Sequence, residues 1–201
     1  MPEKPEKFYS RGAEKFAENN SIENLSDRFV DFIDSFIEEV GEGRVLDAGC
    51  GPGRDVEYFT ENGLDAVGID LAGGMIEYAK ANKKGEYHIM DIRNLEFGDE
   101  SFDGVYCNAV MHFFPPEKMK NVISELKRVL KPEGVLFLNF KLGEEDSILR
   151  EKYNGEVKQY LLDQDQINQL LKEQNLKIIE KLEDNTIGGF EIINIICRKQ
   201  E

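Results

Sequence analysis

The sequence predicts an α/β fold in three layers, with a mostly parallel seven-stranded sheet, an antiparallel last strand and helices on both faces. Two observations predict it. Short apolar segments alternate along the chain with longer stretches whose apolar residues recur at helical spacing. The first of these segments is followed by glycines at alternate positions, Gly49, Gly51 and Gly53, a pattern typical of a tight turn between a strand and a helix.

Each element has its own signal. The predicted strands are apolar segments bounded by turn residues, over 43–48, 64–70, 87–90, 102–107, 135–142, 176–183 and 190–198. The predicted helices have one apolar face and lie over 24–40, 53–62, 72–83, 116–130 and around 167–171. Gly41 ends the first helix, and the pair Pro115 and Pro116 opens the fourth.

The order of these elements predicts a Rossmann-like sandwich. The segment 135–142 is almost continuously apolar, as expected of a strand covered on both faces. Only residues 184–189 separate the last two strands, which is too short for a crossover helix, so these strands should pair antiparallel. Because no linker or repeat divides the chain, we expect a single domain over 1–201.

Composition excludes several functions. Forty acidic residues against 25 basic residues give a formal net charge of −15, which repels nucleic-acid phosphates and anionic lipids. Cys50, Cys107 and Cys197 lack metal-ligand spacing and lie in or beside apolar stretches, which indicates buried thiols in a reducing compartment. The amino terminus is polar, and no apolar run is long enough to span a membrane. We expect a cytoplasmic protein with no metal, nucleic-acid partner or membrane partner.

The glycine spacing distinguishes between cofactors. A dinucleotide site requires the pattern G-x-G-x-x-G, and its third position here is Arg54, whose bulk hinders approach of a pyrophosphate. The third glycine is instead Gly53. Asp47 stands two positions before the first glycine, and its carboxylate suits a ligand with an amino group better than a phosphate. These features disfavour a nicotinamide-dependent oxidoreductase.

The same residues resemble a known family. Val45–Gly53 matches, without a gap, the first motif of the class I S-adenosylmethionine-dependent methyltransferases. The acidic ends of the second and third strands match at Asp70 and Asp91, and 102–109 and 130–134 resemble the motifs of the fourth and fifth strands. The resemblance is to small-molecule enzymes with a minimal seven-stranded domain. It implies S-adenosylmethionine as cofactor and in-line methyl transfer to a small-molecule acceptor.

The resemblance also implies roles for individual residues. Asp70 would hold the ribose hydroxyls, since an ionised carboxylate offers two acceptor oxygens. Asp91 would accept from the adenine amino group, the Ile92 backbone would meet a ring nitrogen, and Leu71 and Met75 would cover the adenine. The full set expected at the cofactor is Asp47, Gly49, Gly51, Gly53, Asp70, Leu71, Met75, Asp91, Ile92, Asn108, Tyr9 and Arg11.

The acceptor should lie between segments outside these motifs. We expect 1–23 to form a lid over the cofactor and 143–162 to form an insertion on the substrate side. His112, in the loop after the fourth strand, is a general base, a wall of the pocket or a residue without a role in the reaction. Methyl transfer depends chiefly on alignment and needs no base. Aromatic residues expected as further walls or as simple core are Phe113, Phe114, Tyr153 and Tyr160. A module that binds the cofactor without catalysis is the alternative function.

Overall fold

The structure is a computed structural model, and it describes residues 4–10, 12–143, 147–152, 155–187 and 190–200. Its strands are β1 (Arg44–Ala48), β2 (Asp65–Asp70), β3 (Glu86–Ile89), β4 (Phe102–Cys107), β5 (Leu130–Lys141), β6 (Ser147–Lys152), β7 (Gly155–Tyr160), β8 (Leu176–Ile187) and β9 (Phe190–Lys199). Its α-helices are α1 (Pro5–Ser10), α2 (Ala13–Asn19), α3 (Asp27–Val40), α4 (Arg54–Glu61), α5 (Gly73–Asn82), α6 (Pro116–Val129) and α7 (Gln164–Glu173). Two short 3-10 helices lie at Ile22–Asn24 and Met111–Phe113.

Seven of the strands form one sheet in the order β3-β2-β1-β4-β5-β9-β8. Strands β1 to β5 pair in parallel, whereas β9 runs antiparallel to both β5 and β8. The prediction of a mostly parallel sheet with an antiparallel last strand is therefore confirmed. The strand order reverses between β1 and β4, so the loops that follow these two strands open a crevice at the carboxyl edge of the sheet.

Helices cover both faces of this sheet and produce the three predicted layers. Helices α3, α4 and α5 pack on one face, and α6 and α7 pack on the other. Adjacent residues of a strand serve opposite layers: Val45 packs towards α3 and Leu46 towards α6. On the α3 face the rings of Tyr106 and Phe137 stack with centroids 4.2 Å apart, with Phe36 packed above them.

Helix α3 shows how the local sequence determines an element. Its buried residues recur every three or four positions, at Phe29, Phe32, Ile33 and Phe36. The side chain of Ser26 caps its first turn by accepting a hydrogen bond from the Phe29 N–H at 3.2 Å. Gly41 ends it with φ at +68°.

The segment 143–162 contains two strands that the sequence analysis did not predict. Strands β6 and β7 form an antiparallel hairpin with Ser147 opposite Tyr160. A two-stranded ribbon has little surface to bury, so these strands contain few apolar residues. Their sequence is therefore typical of a polar loop. Strand β5 also begins earlier than predicted, since Leu130 already pairs with Phe102 before the register shifts.

Two further expectations concern the thiols and the membrane. All three cysteines are free and buried, which confirms the prediction of buried thiols. Across the ranges that the structure describes, no helix is both long and apolar enough to cross a membrane.

Candidate functional site

The glycine turn lies where β1 meets the crevice. Gly49, Gly51 and Gly53 have φ values of +96°, +52° and +87°, all in the region that favours glycine. The N–H groups of Gly49 and Cys50 both donate to the carbonyl of Ile69 at 2.8 Å, which fixes the turn to β2. A Cβ at position 49 would lie 2.2 Å from Cγ2 of Val110, so the loop after β4 packs directly on the turn.

Asp70 connects the turn to the second strand. Its Oδ2 accepts a hydrogen bond from the Gly51 N–H at 3.0 Å, and its Oδ1 accepts from the Ala72 N–H at 2.7 Å. Burial raises the pKa of this carboxyl, while the backbone N–H groups of Ala72, Gly51 and Leu71 act in the opposite direction. Each carboxylate oxygen has a second lone pair, so Asp70 can accept two further hydrogen bonds from a ligand in the crevice.

Asp47 lies below the turn and is almost completely buried, at 1% exposure. Its Oδ2 has no hydrogen-bond partner among the described residues. Burial, and next the neighbouring carboxylate of Asp55, raises the pKa of Asp47 well above its ordinary value. A buried acceptor without a donor is costly, so this carboxylate suits a ligand that brings a donor or a positive charge.

Arg54 occupies the place where a dinucleotide site has its third glycine. Its guanidinium forms a bidentate pair with Asp55, at 2.7 and 2.8 Å. Its Nη1 also donates to the carbonyl of Asn20 at 3.4 Å. Asn20 lies immediately after α2. Arg54 therefore connects the start of α4 to the amino-terminal segment.

The far end of the crevice is formed by β2, β3 and the start of α5. Asp91 accepts hydrogen bonds from the backbone and the guanidinium of Arg93, and this interaction lowers the pKa of the carboxyl. Leu71 is 40% exposed, whereas Met75 and Ile92 are buried by the protein itself. The four residues expected around the adenine therefore all lie at this end of the crevice. Of the three apolar ones, only Leu71 has an exposed side chain.

Three asparagines cross the sheet at the middle of the carboxyl edge. Oδ1 of Asn139 on β5 accepts from the Ala109 N–H at 2.7 Å, and its Nδ2 donates to Oδ1 of Asn108 at 2.6 Å. Nδ2 of Asn139 also lies 3.4 Å from Oδ1 of Asn194 on β9. This network stabilises the loop after β4, where Ala109 has a φ of +58°.

The acceptor side is formed by the same loop and the amino-terminal segment. His112, in the 3-10 helix Met111–Phe113, is 5% exposed, and its ring centroid is 4.3 Å from that of Phe113. The ring of Tyr9 lies 5.9 Å from Phe113 and 5.6 Å from Phe16. Aromatic contacts therefore connect α1, α2 and the loop after β4.

The segment 1–23 reaches the crevice through α1 and α2. Both helices pack against α5, and α1 also contacts β7. Ser10 Oγ accepts from the Gly74 N–H at 3.3 Å, and a Cβ at position 74 would lie 2.3 Å from the Ser10 carbonyl oxygen. The expected roles of Arg11 and Tyr153 lie outside the described residues.

Four polar residues near this edge were missed by the sequence analysis. Asn139, Lys141, Gln159 and Asn194 are all buried. Asn139 and Lys141 lie in the segment 135–142, whose apolar character hid them, although two polar residues in a strand covered on both faces were themselves a signal. Within the described ranges, no group of three His, Cys, Asp or Glu residues could hold a metal ion.

Comparison with known proteins shows what the chain is similar to. Residues 46–138 match a family model described as a methyltransferase domain. A solved structure of 1,6-didemethyltoxoflavin-N1-methyltransferase from Burkholderia thailandensis, with bound 1,6-didemethyltoxoflavin and S-adenosylhomocysteine, has the same fold at a TM-score of 0.70. It is 18% identical, and the alignment covers 100% of this chain and 92% of that one.

Two curated relatives extend the comparison. Malonyl-[acyl-carrier protein] O-methyltransferase from Enterobacter lignolyticus is 28% identical over 129 residues, which cover 64% of this chain and 49% of the relative. A probable human tRNA methyltransferase 9B is 33% identical over 105 residues, 51% of this chain and 22% of the relative. The chain thus matches about half or less of each relative's length.

These findings confirm the resemblance to the class I S-adenosylmethionine-dependent methyltransferases. Two solved structures of magnesium protoporphyrin IX methyltransferase from Synechocystis PCC 6803, one with bound S-adenosylmethionine and one with bound S-adenosylhomocysteine, share this fold at TM-scores of 0.68 and 0.73 and identities of 19% and 16%.

Proposed function

We propose that this protein transfers a methyl group from S-adenosylmethionine to a small-molecule acceptor. The observation that carries the proposal is the hydrogen bond between Asp70 and the Gly51 N–H, which joins an acidic strand end to the left-handed glycine turn. Such a junction places hydroxyl acceptors and open backbone within reach of one ligand at the carboxyl edge of the sheet. Both oxygens of Asp70 have the remaining capacity to accept from a ribose diol.

The cofactor's amino acid portion fits the other side of the turn. At Gly51 a Cβ would meet only Phe16 Cε1, at 3.9 Å, so the backbone has open space at this point of the turn. Asp47, with an unpartnered Oδ2 beneath the turn, is the residue that we assign to the cofactor's ammonium group. Asn108, held by Asn139, is assigned to the same portion.

The adenine portion fits between β2 and β3. We assign its exocyclic amino group to Asp91, whose carboxylate would then be shared with Arg93. The Ile92 backbone would meet a ring nitrogen. Leu71 supplies the exposed apolar surface, and Met75, buried in α5, is the second apolar residue that we assign to the adenine.

The acceptor side depends on positioning. Bound S-adenosylmethionine supplies an already activated methyl group on a sulfonium. The chain's task is to align an acceptor atom with it and to exclude water, which can contribute roughly 7–11 kcal/mol. We assign the lid function to 1–23, with Tyr9 on its cofactor side, and the acceptor wall to His112 and Phe113; the cofactor contact expected of Arg11 stays a prediction from the sequence.

His112 has two candidate roles at this wall. As a general base it would take a proton from the acceptor's nucleophile, and as a wall it would only exclude water. Its burial beside the Phe113 ring supports the wall.

Two finer proposals concern the partner and the compartment. The formal net charge of −15 favours a small acceptor over a nucleic acid, although one matched relative is named a tRNA methyltransferase. Incubation with labelled cofactor and bulk tRNA tests this choice, because label in the tRNA would contradict it. The cytoplasmic location stays a prediction that rests on the buried thiols. The single domain over 1–201 also stays a prediction.

Calorimetry tests the cofactor assignment. We expect S-adenosylhomocysteine to bind with a single site and NADH to give no heat of binding, because Arg54 fills the place that a pyrophosphate needs. No binding of S-adenosylhomocysteine at millimolar concentration would reject the proposed function. Binding of NADH instead would support the oxidoreductase alternative.

A further inference from the structure

Three asparagines form a hydrogen-bonded chain across the carboxyl edge of the sheet. Asn194 on β9 and Asn139 on β5 lie opposite each other in the antiparallel pair, and both are almost completely buried, at 2% and 3% exposure. Asn108 follows the last residue of β4 and is half-buried. A buried amide without its hydrogen bonds is costly, so each donor in this chain needs to face an acceptor.

Backbone groups at the two ends determine which way the amides face. The carbonyl of Leu182 can only accept, so it faces Nδ2 of Asn194, at 3.3 Å. The oxygen of Asn194 then faces Asn139 and accepts from its Nδ2 at 3.4 Å. At the other end the N–H of Ala109 can only donate, so it faces the oxygen of Asn139, at 2.7 Å. Both ends therefore require the same orientation of Asn139.

This orientation determines what Asn108 presents to its surroundings. Nδ2 of Asn139 donates to Oδ1 of Asn108 at 2.6 Å, so the Asn108 amide turns its oxygen towards β5 and its NH2 group away from Asn139. The reversed amide would oppose two NH2 groups, which cannot hydrogen-bond to each other. Asn108 is thus held as a hydrogen-bond donor at the end of β4.

The register of the sheet places this donor beyond Asp47. Strand β4 pairs in parallel with β1, and Asp47 lies opposite Tyr106. Asn108 therefore lies two residues further towards the carboxyl edge than the neighbour of Asp47. An acceptor and a fixed donor thus follow one another along the two strands that open the crevice.

We propose that Asn139 is a positioning residue that, supported by Asn194, holds the NH2 group of Asn108 towards the carboxylate of the cofactor's amino acid portion. This inference rests on the proposed function and specifies which group of the cofactor Asn108 binds. A carboxylate only accepts hydrogen bonds, so an amide fixed as a donor matches it. The ammonium group only donates and matches Asp47.

Calorimetry with S-adenosylhomocysteine and its decarboxylated analogue tests the inference. The analogue keeps the nucleoside, the sulfur and the ammonium group and lacks only the carboxylate. Asn139→Asp keeps an acceptor for the Ala109 N–H but, when ionised, offers no donor to Asn108, whose amide then turns over. We expect about tenfold weaker binding of S-adenosylhomocysteine and little change for the analogue. A protonated carboxyl would still donate, so the loss should grow as pH rises.

A double-variant cycle separates positioning from direct contact. Asn108→Ala should weaken S-adenosylhomocysteine binding by a similar factor. Adding Asn139→Asp to Asn108→Ala should then cost little more, because the amide through which Asn139 acts is already missing. Asn168→Asp makes the same charge change at an exposed residue of α7, where a carboxylate can still accept from Lys181, and should bind both ligands like the unmodified protein.

Nuclear magnetic resonance of the unmodified protein with S-adenosylhomocysteine gives a test that does not depend on the folding of any variant. The side-chain NH2 protons of Asn108 should show nuclear Overhauser contacts to the ligand's Cα proton, which is next to its carboxylate. The NH2 protons of Asn139 should show no contact to the ligand. Contacts from Asn139 to the ligand, or none from Asn108, would overturn the inference.

Different failures have different meanings. The inference is overturned, while the cofactor assignment stands, if Asn139→Asp weakens the binding of both ligands equally, or of neither at every pH. The same holds if Asn139→Asp costs as much in the presence of Asn108→Ala as in its absence. If S-adenosylhomocysteine does not bind the unmodified protein, the proposed function fails, and the inference that rests on it fails too.

Discussion

Asp70 Oδ2 accepts a hydrogen bond from the Gly51 N–H at 3.0 Å, so the end of β2 holds the turn that follows β1. A single carboxylate thereby stabilises the crevice and presents acceptors to it. This double role separates Asp70 from an ordinary helix cap, because its Oδ1 makes the local bond to the Ala72 N–H while Oδ2 reaches across to the turn.

Replacing Asp70 should weaken cofactor binding. Asp70→Ala removes the proposed acceptor of the ribose hydroxyls, and we expect the binding free energy of S-adenosylhomocysteine to fall by about 1.5–3 kcal/mol. Calorimetry measures this loss. Asp65→Ala is the matched control at the exposed start of β2, where an ion pair with Arg44 contributes little. Equal affinities for both variants would remove Asp70 from the ribose role.

The glycine turn should tolerate no side chain at position 49. Gly63 has a similar φ of +88° but open space around its Cβ position, so Gly63→Ala should cost only the backbone term, about 1–2 kcal/mol. Gly49→Ala adds a clash with Val110 and should cost about 1–3 kcal/mol more. Denaturant unfolding measures both.

A double variant isolates the clash from the backbone term. Combining Gly49→Ala with Val110→Ala removes the methyl group that lies 2.2 Å from the new Cβ, and it should recover part of the lost unfolding free energy. An unfolding midpoint for Gly49→Ala equal to that of Gly63→Ala would contradict the close packing of Val110, in the loop after β4, on the glycine turn.

Asp47 should make the stability of the cofactor-free protein depend on pH. Burial raises its folded-state pKa, so the folded state holds a proton that the unfolded state has released. Its contribution to stability is therefore complete below the unfolded pKa of about 3.9 and is lost as pH rises through the folded pKa. At neutral pH, Asp47→Asn should raise the unfolding free energy by about 1 kcal/mol and weaken S-adenosylhomocysteine binding.

Thermal and denaturant unfolding at pH 5 and pH 8 check this sign. The gain from Asp47→Asn should be larger at pH 8. A variant that is less stable than the unmodified protein at pH 8, yet binds the cofactor normally, would contradict the assignment of Asp47.

Gly74 tests the contact between the lid and α5. Alanine normally stabilises a helix relative to glycine by about 1 kcal/mol. At position 74 its Cβ would lie 2.3 Å from the Ser10 carbonyl oxygen, so Gly74→Ala should displace α1 and make 1–23 more sensitive to limited proteolysis. Gly73→Ala meets only Ile89 Cδ1 at 3.4 Å and is the control. Identical cleavage of the two variants would argue against a lid seated on α5.

The sequence predicted the sheet and the turn because both depend on local patterns. Alternating apolar segments and the glycines from Gly49 to Gly53 can be recognised in the sequence without knowledge of tertiary contacts. The β6–β7 hairpin was not predicted, since a ribbon with few apolar residues carries little pattern. Lys141 and Asn139 were missed because their hydrogen-bond partners, Gln159 on β7 and Asn108 after β4, are distant in sequence and only the folded chain brings them near.

Asp91 shows a different limit of sequence reasoning. Its place at the end of β3 was predicted, but the bidentate pairing with Arg93, from Nε to Oδ1 and from Nη2 to Oδ2, was not. The local sequence Asp91-Ile92-Arg93 is compatible with several loop conformations, and the structure selects the one in which the guanidinium folds back on the carboxylate.

Transfer of label from methyl-labelled S-adenosylmethionine to a fractionated metabolite extract tests the central claim most directly. We expect the unmodified protein to label a small molecule and Asp70→Ala to label it much more slowly at low cofactor concentration. Tight cofactor binding with no label transferred to any small molecule would contradict methyl transfer and would favour a binding module without catalysis.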